Sequence, residues 1–215
     1  MIKKITTKIV FLSLWLGLTQ GAFADNRFGI RVSPALNFKS ISPSEYKNKS
    51  LLGFSAGAFY DMEFSEEKYI TLGLLFNYDG YKLEDQDKIN NKSYQPDVFD
   101  ANYLLIPLWI KFYTAEIATD SQVYVYVGAL FGIKINETKP TQDHSTVFAP
   151  FKGDFILGLG YEYELTLHTS IFADLAYSLD VHNVLSGDKR KDSDALHDLV
   201  STKTHSLIFT IGIRF

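Results

Sequence analysis

Nine ionisable side chains stand where this chain could do chemistry: Arg27, Arg31, Asp61, Glu63, Lys111, Glu162, Glu164, Asp174 and Arg214. Each lies within or beside a stretch rich in apolar residues. Acids and bases withdrawn from water could run general acid–base chemistry, because burial and neighbouring charge displace their proton affinities. The same set could equally be an ion-pair network that fills an interior. Other candidates are weaker. His182 and His197 share one polar stretch with Asp188, Asp192, Asp194 and Asp198, the right residue types for a metal but without a fixed ligand spacing. Asp188-Lys189-Arg190-Lys191-Asp192 reads as a solvated loop of mixed charge. His144-Ser145 and His205-Ser206 are adjacent pairs, and adjacent strand residues point to opposite faces, so neither makes a nucleophile–base couple by itself. The residues thus predict no catalytic, cofactor or metal site.

The elements that position these charges are legible as eight segments of period-two alternation, near 27–37, 52–63, 69–79, 103–113, 123–134, 154–164, 171–180 and 206–215. One face of each is bulky and apolar, as in Val123, Val125, Val127, Ala129, Phe131 and Ile133. The other is small, polar or charged, as in Tyr124, Tyr126, Gly128, Gly132 and Lys134. The fourth segment is apolar almost throughout, with Lys111 its only charge. Pro107 in its middle predicts a bulge or kink, since proline cannot donate to a ladder. Short links near 64–68, 114–121 and 165–169 alternate with long polar ones near 38–50, 80–101, 135–152 and 181–204. Strands of ten to twelve residues, short turns at one end and long loops at the other describe an all-β fold: an eight-stranded antiparallel up-and-down transmembrane β-barrel.

Alternation alone does not say which face meets lipid, and a soluble ligand-binding barrel would turn its apolar face inward. Three features favour the membrane. Glycines 53, 57, 73, 128, 132, 158, 160 and 212 crowd the polar face, its charges are few, and tyrosines 60, 78, 161, 163 and 177 lie toward the ends of the apolar stripes, as interfacial girdles do. With both termini periplasmic, the nine charges fall in the periplasmic half of the lumen. Arg31 is expected near Asp61 and Glu63, and Arg214 near Asp174. Together with bulky Phe59, Trp109, Tyr124, Tyr126 and Phe172 they should leave the pore closed or nearly so.

The N-terminus sets the compartment. Lys3, Lys4 and Lys8 precede an apolar run from Ile9 to Leu18, which ends in Gly21-Ala22-Phe23-Ala24. A basic start, a short apolar core and a small-x-small site read as a signal peptide over residues 1–24, leaving residues 25–215 as the barrel domain. N-terminal sequencing of protein from an envelope fraction should begin at Asp25; a chain still carrying Lys3 and Lys4 would refute this. Without residues 1–24 the chain has 18 basic and 25 acidic side chains, a net charge of −7, which argues against a nucleic-acid partner. The chain has no cysteine, so disulfides contribute nothing to its stability. At the other end Phe209, Ile211, Ile213 and Phe215 place an aromatic at the terminus of an alternating apolar stripe, the form of signal read by barrel-assembly machinery.

Three stretches resemble the PorT-like outer-membrane β-barrel family. They are Ile70-Thr71-Leu72-Gly73-Leu74-Leu75-Phe76 followed by Tyr81-Lys82; Tyr103-Leu104-Leu105-Ile106-Pro107-Leu108-Trp109-Ile110-Lys111-Phe112; and Val127-Gly128-Ala129-Leu130-Phe131-Gly132. The second resembles the more specific Tyr-Leu-x-Ile-Pro-Leu-x-x-Lys-Tyr/Phe pattern, and the resemblance departs at Trp109, where the family usually has an aliphatic residue. The resemblance implies a barrel in the outer membrane of a Gram-negative bacterium, and it implies little about activity, because one branch of the family is tied to a secretion system and most members are uncharacterised. The combined reading is a non-enzymatic, porin-like barrel in the cell envelope. Its partners would be the lipid bilayer, the assembly machinery and an extracellular or envelope protein at its loops. The rival readings are an outer-membrane enzyme acting on lipid or peptide, and a soluble secreted barrel.

Overall fold

A computed structural model describes residues 26–42, 46–49, 51–85, 97–138, 146–181, 185–187 and 201–215. Eight long strands form the wall: β1 (Arg27–Ser42), β2 (Leu51–Ser65), β3 (Lys68–Asp85), β4 (Asp97–Tyr113), β5 (Ser121–Thr138), β6 (Phe151–Thr166), β7 (Thr169–Asp180) and β8 (Ser201–Arg214). Each pairs antiparallel with its sequence neighbours, and β1 pairs with β8, so the sheet closes on itself. Closure satisfies every ladder without an exposed edge, the condition for crossing hydrocarbon with strands. Short links at residues 66–67, 114–120 and 167–168 share one end with the start of β1 and with Phe215, which is the periplasmic end of such a barrel. At the opposite end Tyr46–Lys49 adds a third strand to the β3–β4 hairpin, and Thr146–Phe148 pairs with Leu185–Gly187.

The strands run 12–18 residues, longer than the ten to twelve expected. Apolar alternation marks only the part that touches lipid. Backbone pairing continues past it through Lys82, Leu83, Glu84 and Asp85 of β3, where side-chain hydrophobicity gives no cue.

Pro107 does not break β4. It stays in register opposite Leu130, and the irregularity between β4 and β5 falls at Asn102/Tyr103. What Pro107 removes is pairing on its other side, where the β3–β4 ladder skips Gly73 and Leu74 and then resumes unshifted at Leu75↔Leu105. A missing N–H costs a ladder bond without forcing an extra residue into the strand. Pro34 leaves a similar gap in the β1–β8 ladder between Val32↔Ile211 and Ala35↔Ile208.

The apolar face is outside. Phe28, Ile30, Val32, Leu74, Phe76, Leu157, Leu159, Leu175, Phe209 and Ile211 are exposed on the outer wall, while Arg31, Asp61, Lys111, Glu162, Asp174 and Arg214 are buried within. This excludes the soluble barrel, whose apolar face would line the interior. Tyr60, Tyr161 and Tyr163 stand on the outer wall toward the periplasmic end, and Tyr78 and Tyr177 toward the other, forming two girdles.

Glycine on the inner face has a packing reason. Phe59 lies against Gly29, Tyr126 against Gly158, Tyr124 against Gly160 and Phe172 against Gly212, each its cross-strand neighbour, and a Cβ at any of these would collide with the ring. The rings therefore lie flat across the next strand and fill the tube.

Candidate functional site

Ladder geometry decides which charges meet. Following paired residues from Arg27 through Asp61, Thr71, Trp109, Gly128, Ile156, Ser178 and Ser206 returns to β1 at Asn37, a stagger of ten residues. Strands in a closed barrel tilt in proportion to this stagger. Equal distance from a strand end is therefore not equal depth, and the expected pairings are exchanged. Arg27, not Arg31, is the ladder neighbour of Asp61. Arg31 instead pairs with Asp174 at 3.8 Å, and Arg214 pairs with Asp61 at 3.4 Å and Glu162 at 2.5 Å. Glu63 stands half-buried near the periplasmic turn, opposite Tyr69.

The inner layer is a dense network around two carboxylates. Asp61 accepts from Lys111 Nζ at 2.7 Å, from Thr71 and from Arg214. Glu162 accepts from Tyr113 Oη at 2.7 Å and from Ser170, and Arg27 approaches it to 3.8 Å. Arg214 also donates to Tyr113 Oη at 2.7 Å and lies over the Tyr113 ring at 5.1 Å. Above it, Asp174 accepts from Tyr126 Oη at 2.9 Å and Tyr124 Oη at 3.2 Å, while Arg31 donates to Thr210 Oγ1 at 2.6 Å and faces the Trp109 ring at 5.1 Å. Phe59 and Phe172 meet edge to face at 5.5 Å, and Lys111 sits 4.8 Å above Phe59. Cations over aromatic faces add attraction where water is excluded.

Tyr69, Tyr113, Thr71, Ser170 and Thr210 are members of this network that charge alone did not single out. Phase could have found them, since each shares the inward register of a buried charge on its own strand. An outer layer was missed for a different reason. Lys152 lies where a loop was expected, and it reaches Asp79 at 2.9 Å and Asp154 at 3.7 Å. The period-two phase that buries Ile156 and Asp154 extends to Lys152.

The described arrangement is a buried network of ion pairs and hydrogen bonds. Its acids are held by cations and hydroxyls, and among the described residues no group of three or more His, Asp or Glu is placed to hold a metal ion. His205 stacks on the outer wall with Tyr177, whose hydroxyl lies 2.7 Å from Nδ1, whereas Ser206 turns inward and donates to Asn37 at 2.8 Å. The pair therefore faces opposite ways. His182, His197, their neighbouring aspartates and His144-Ser145 lie outside the described residues.

Residues 19–186 match the outer membrane protein beta-barrel domain. The chain belongs to that family. Its place is accordingly the outer membrane of a Gram-negative bacterium, with the bilayer against the apolar wall. Among solved structures it is similar to the outer membrane protein OprG from Pseudomonas aeruginosa, at 12% identity and a TM-score of 0.59, covering 91% of this chain and 97% of that one. It is also similar to Neisserial surface protein A, at 14% identity and a TM-score of 0.50, covering 87% and 95%. No curated protein sequence matches it. At such identities the likeness establishes the shared barrel and no shared activity.

Proposed function

We propose that this barrel is a non-enzymatic scaffold whose connections at the outer end bind an extracellular or envelope partner. One observation carries the reading: the described lumen is closed across its width by Arg214, Lys111, Asp61, Glu162, Arg31, Trp109, Tyr113, Tyr124 and Tyr126, which leave no continuous path through the wall's interior. A closed tube leaves its ends to do the work, and the longer connections lie at residues 43–50, 86–96, 139–150 and 181–200, at the end opposite the tight turns. The segment Tyr103–Phe112, with Pro107 held in register, further supports a place among PorT-like barrels and an envelope- or secretion-related partner. An enzyme acting on lipid or peptide would need a Ser/His/acid set facing one way at one depth, and the described pair His205-Ser206 does not supply it.

Two measurements test this. Refolded protein in planar bilayers should show no stable large conductance; a steady open channel would replace loop binding with transport. Shortening the four connections to tight turns should leave a heat-modifiable, membrane-inserted barrel that fails to complement a deletion strain. Complementation by the trimmed barrel would overturn the loop reading.

A further inference from the structure

We propose that the outer half of the lumen holds a small hydrated chamber with Lys152 as its lid. The lid crosses the tube. Lys152 leaves β6 and reaches Asp79 on β3 at 2.9 Å, passing 5.2 Å from the Tyr103 ring. Asp79 is tied in turn to Asn37 Nδ2 at 3.4 Å, and Asn37 accepts from Ser206. The floor is Trp109, Arg31, Leu130 and Ile156. Between floor and lid lies a cavity of about 30 Å³.

Three residues lining this cavity carry a buried polar atom with no protein partner: Asn77 Nδ2, Trp109 Nε1 and Asp154 Oδ1. All three residues are more than nine-tenths buried. A buried polar group without a hydrogen bond is costly, and native interiors rarely keep several around one void. The set contains two donors and one acceptor. A cation would be repelled by the N–H groups and by Arg31 and Lys152, and an anion by Asp79 and Asp154. Water serves both roles, and a cavity of this size has room for about two molecules. Among the described residues, the chamber is therefore a water site closed outward by one flexible amine and inward by packed rings.

Two experiments decide it. Trp109 is the sole tryptophan beyond residue 24, so its indole N–H gives one assignable signal. That proton should show a cross-peak to water in nanodisc NMR; its absence would remove the hydration. For the lid, the cysteine-free chain permits thiol reporters. Ser178→Cys lines the chamber and Ala176→Cys lies in the core beneath it. Ag⁺ protection followed by denaturation and maleimide counting should show both thiols reacting slowly. Lys152→Ala should speed Ser178→Cys by roughly tenfold or more by lifting a local barrier, while leaving Ala176→Cys slow. Lys152→Ala with Asp79→Asn repeats the test without a bare carboxylate, should the single variant fold poorly. A fast Ser178→Cys in the parent, or no acceleration in either variant, would overturn the lid. Acceleration at Ala176→Cys as well would instead sink the closed-lumen reading, on whose floor this proposal rests.

Discussion

Arg214→Ala should destabilise the barrel by about 3–5 kcal/mol, the cost of breaking a buried pair and stranding its partners. Arg214 serves two carboxylates from strands that are not its neighbours in sequence, Asp61 on β2 and Glu162 on β6, and it also donates to Tyr113 on β4. Asp61 keeps Lys111 after the substitution, whereas Glu162 keeps, among the described residues, the distant Arg27 at 3.8 Å and two hydroxyl donors. Most of the loss should therefore sit on Glu162. Urea unfolding in lipid vesicles would measure it. Glu162→Gln, harmful alone, should recover part of the deficit when added to Arg214→Ala, giving a clear coupling in the double-mutant cycle. Simple additivity would mean that the pair is screened and the lumen wetter than its packing indicates.

Phe215→Asp should cut insertion in cells several-fold while changing the stability of refolded barrel by only about 0–1 kcal/mol, since acids on a lipid-facing wall cost little near an interface. The side chain of Phe215 is half exposed on the outer wall, and its backbone closes the β1–β8 seam through Phe28 at 3.1 and 2.7 Å. A substitution keeps those backbone bonds. A defect confined to cells would then implicate recognition of the terminal stripe Phe209, Ile211, Ile213 and Phe215 by assembly machinery. Equal loss in refolding would assign the effect to the seam, and normal levels of heat-modifiable protein in cells would show that the stripe is no signal.

Side-chain phase was readable from the sequence because a strand has only two faces. Alternation put Phe59, Trp109, Tyr124, Tyr126 and Phe172 inside and Ile30, Leu74 and Phe209 outside without any knowledge of pairing. Register was not readable, because the ten-residue stagger is a property of closure that no single segment carries. Strand position alone therefore points Arg31 to Asp61, whereas closure brings it to Asp174. Strand ends were lost where lipid stops imposing hydrophobicity, and Lys152 and the upper part of β3 were lost with them. Pro107 errs in the opposite direction: a missing donor suggests a distortion, yet in the closed sheet it only thins one ladder.

The length of β3 has a mechanical consequence. Eighteen residues rising about 3.3 Å each, tilted by about 40°, span far more than an apolar band about 25 Å tall. Because Lys68 begins next to the periplasmic turn, the surplus is nearly all on the outer side, and roughly 15–20 Å of paired strand stands clear of the lipid. There β3 is braced on one side by β4, out to Leu83↔Asp97, and on the other by Tyr46–Lys49. A three-stranded ribbon resists bending where a lone loop would collapse onto the headgroups. The paired strands act as a mast that carries the ends at Asp85 and Asp97 to a set height above the lipid, so whatever joins them starts from a rigid base clear of the headgroups.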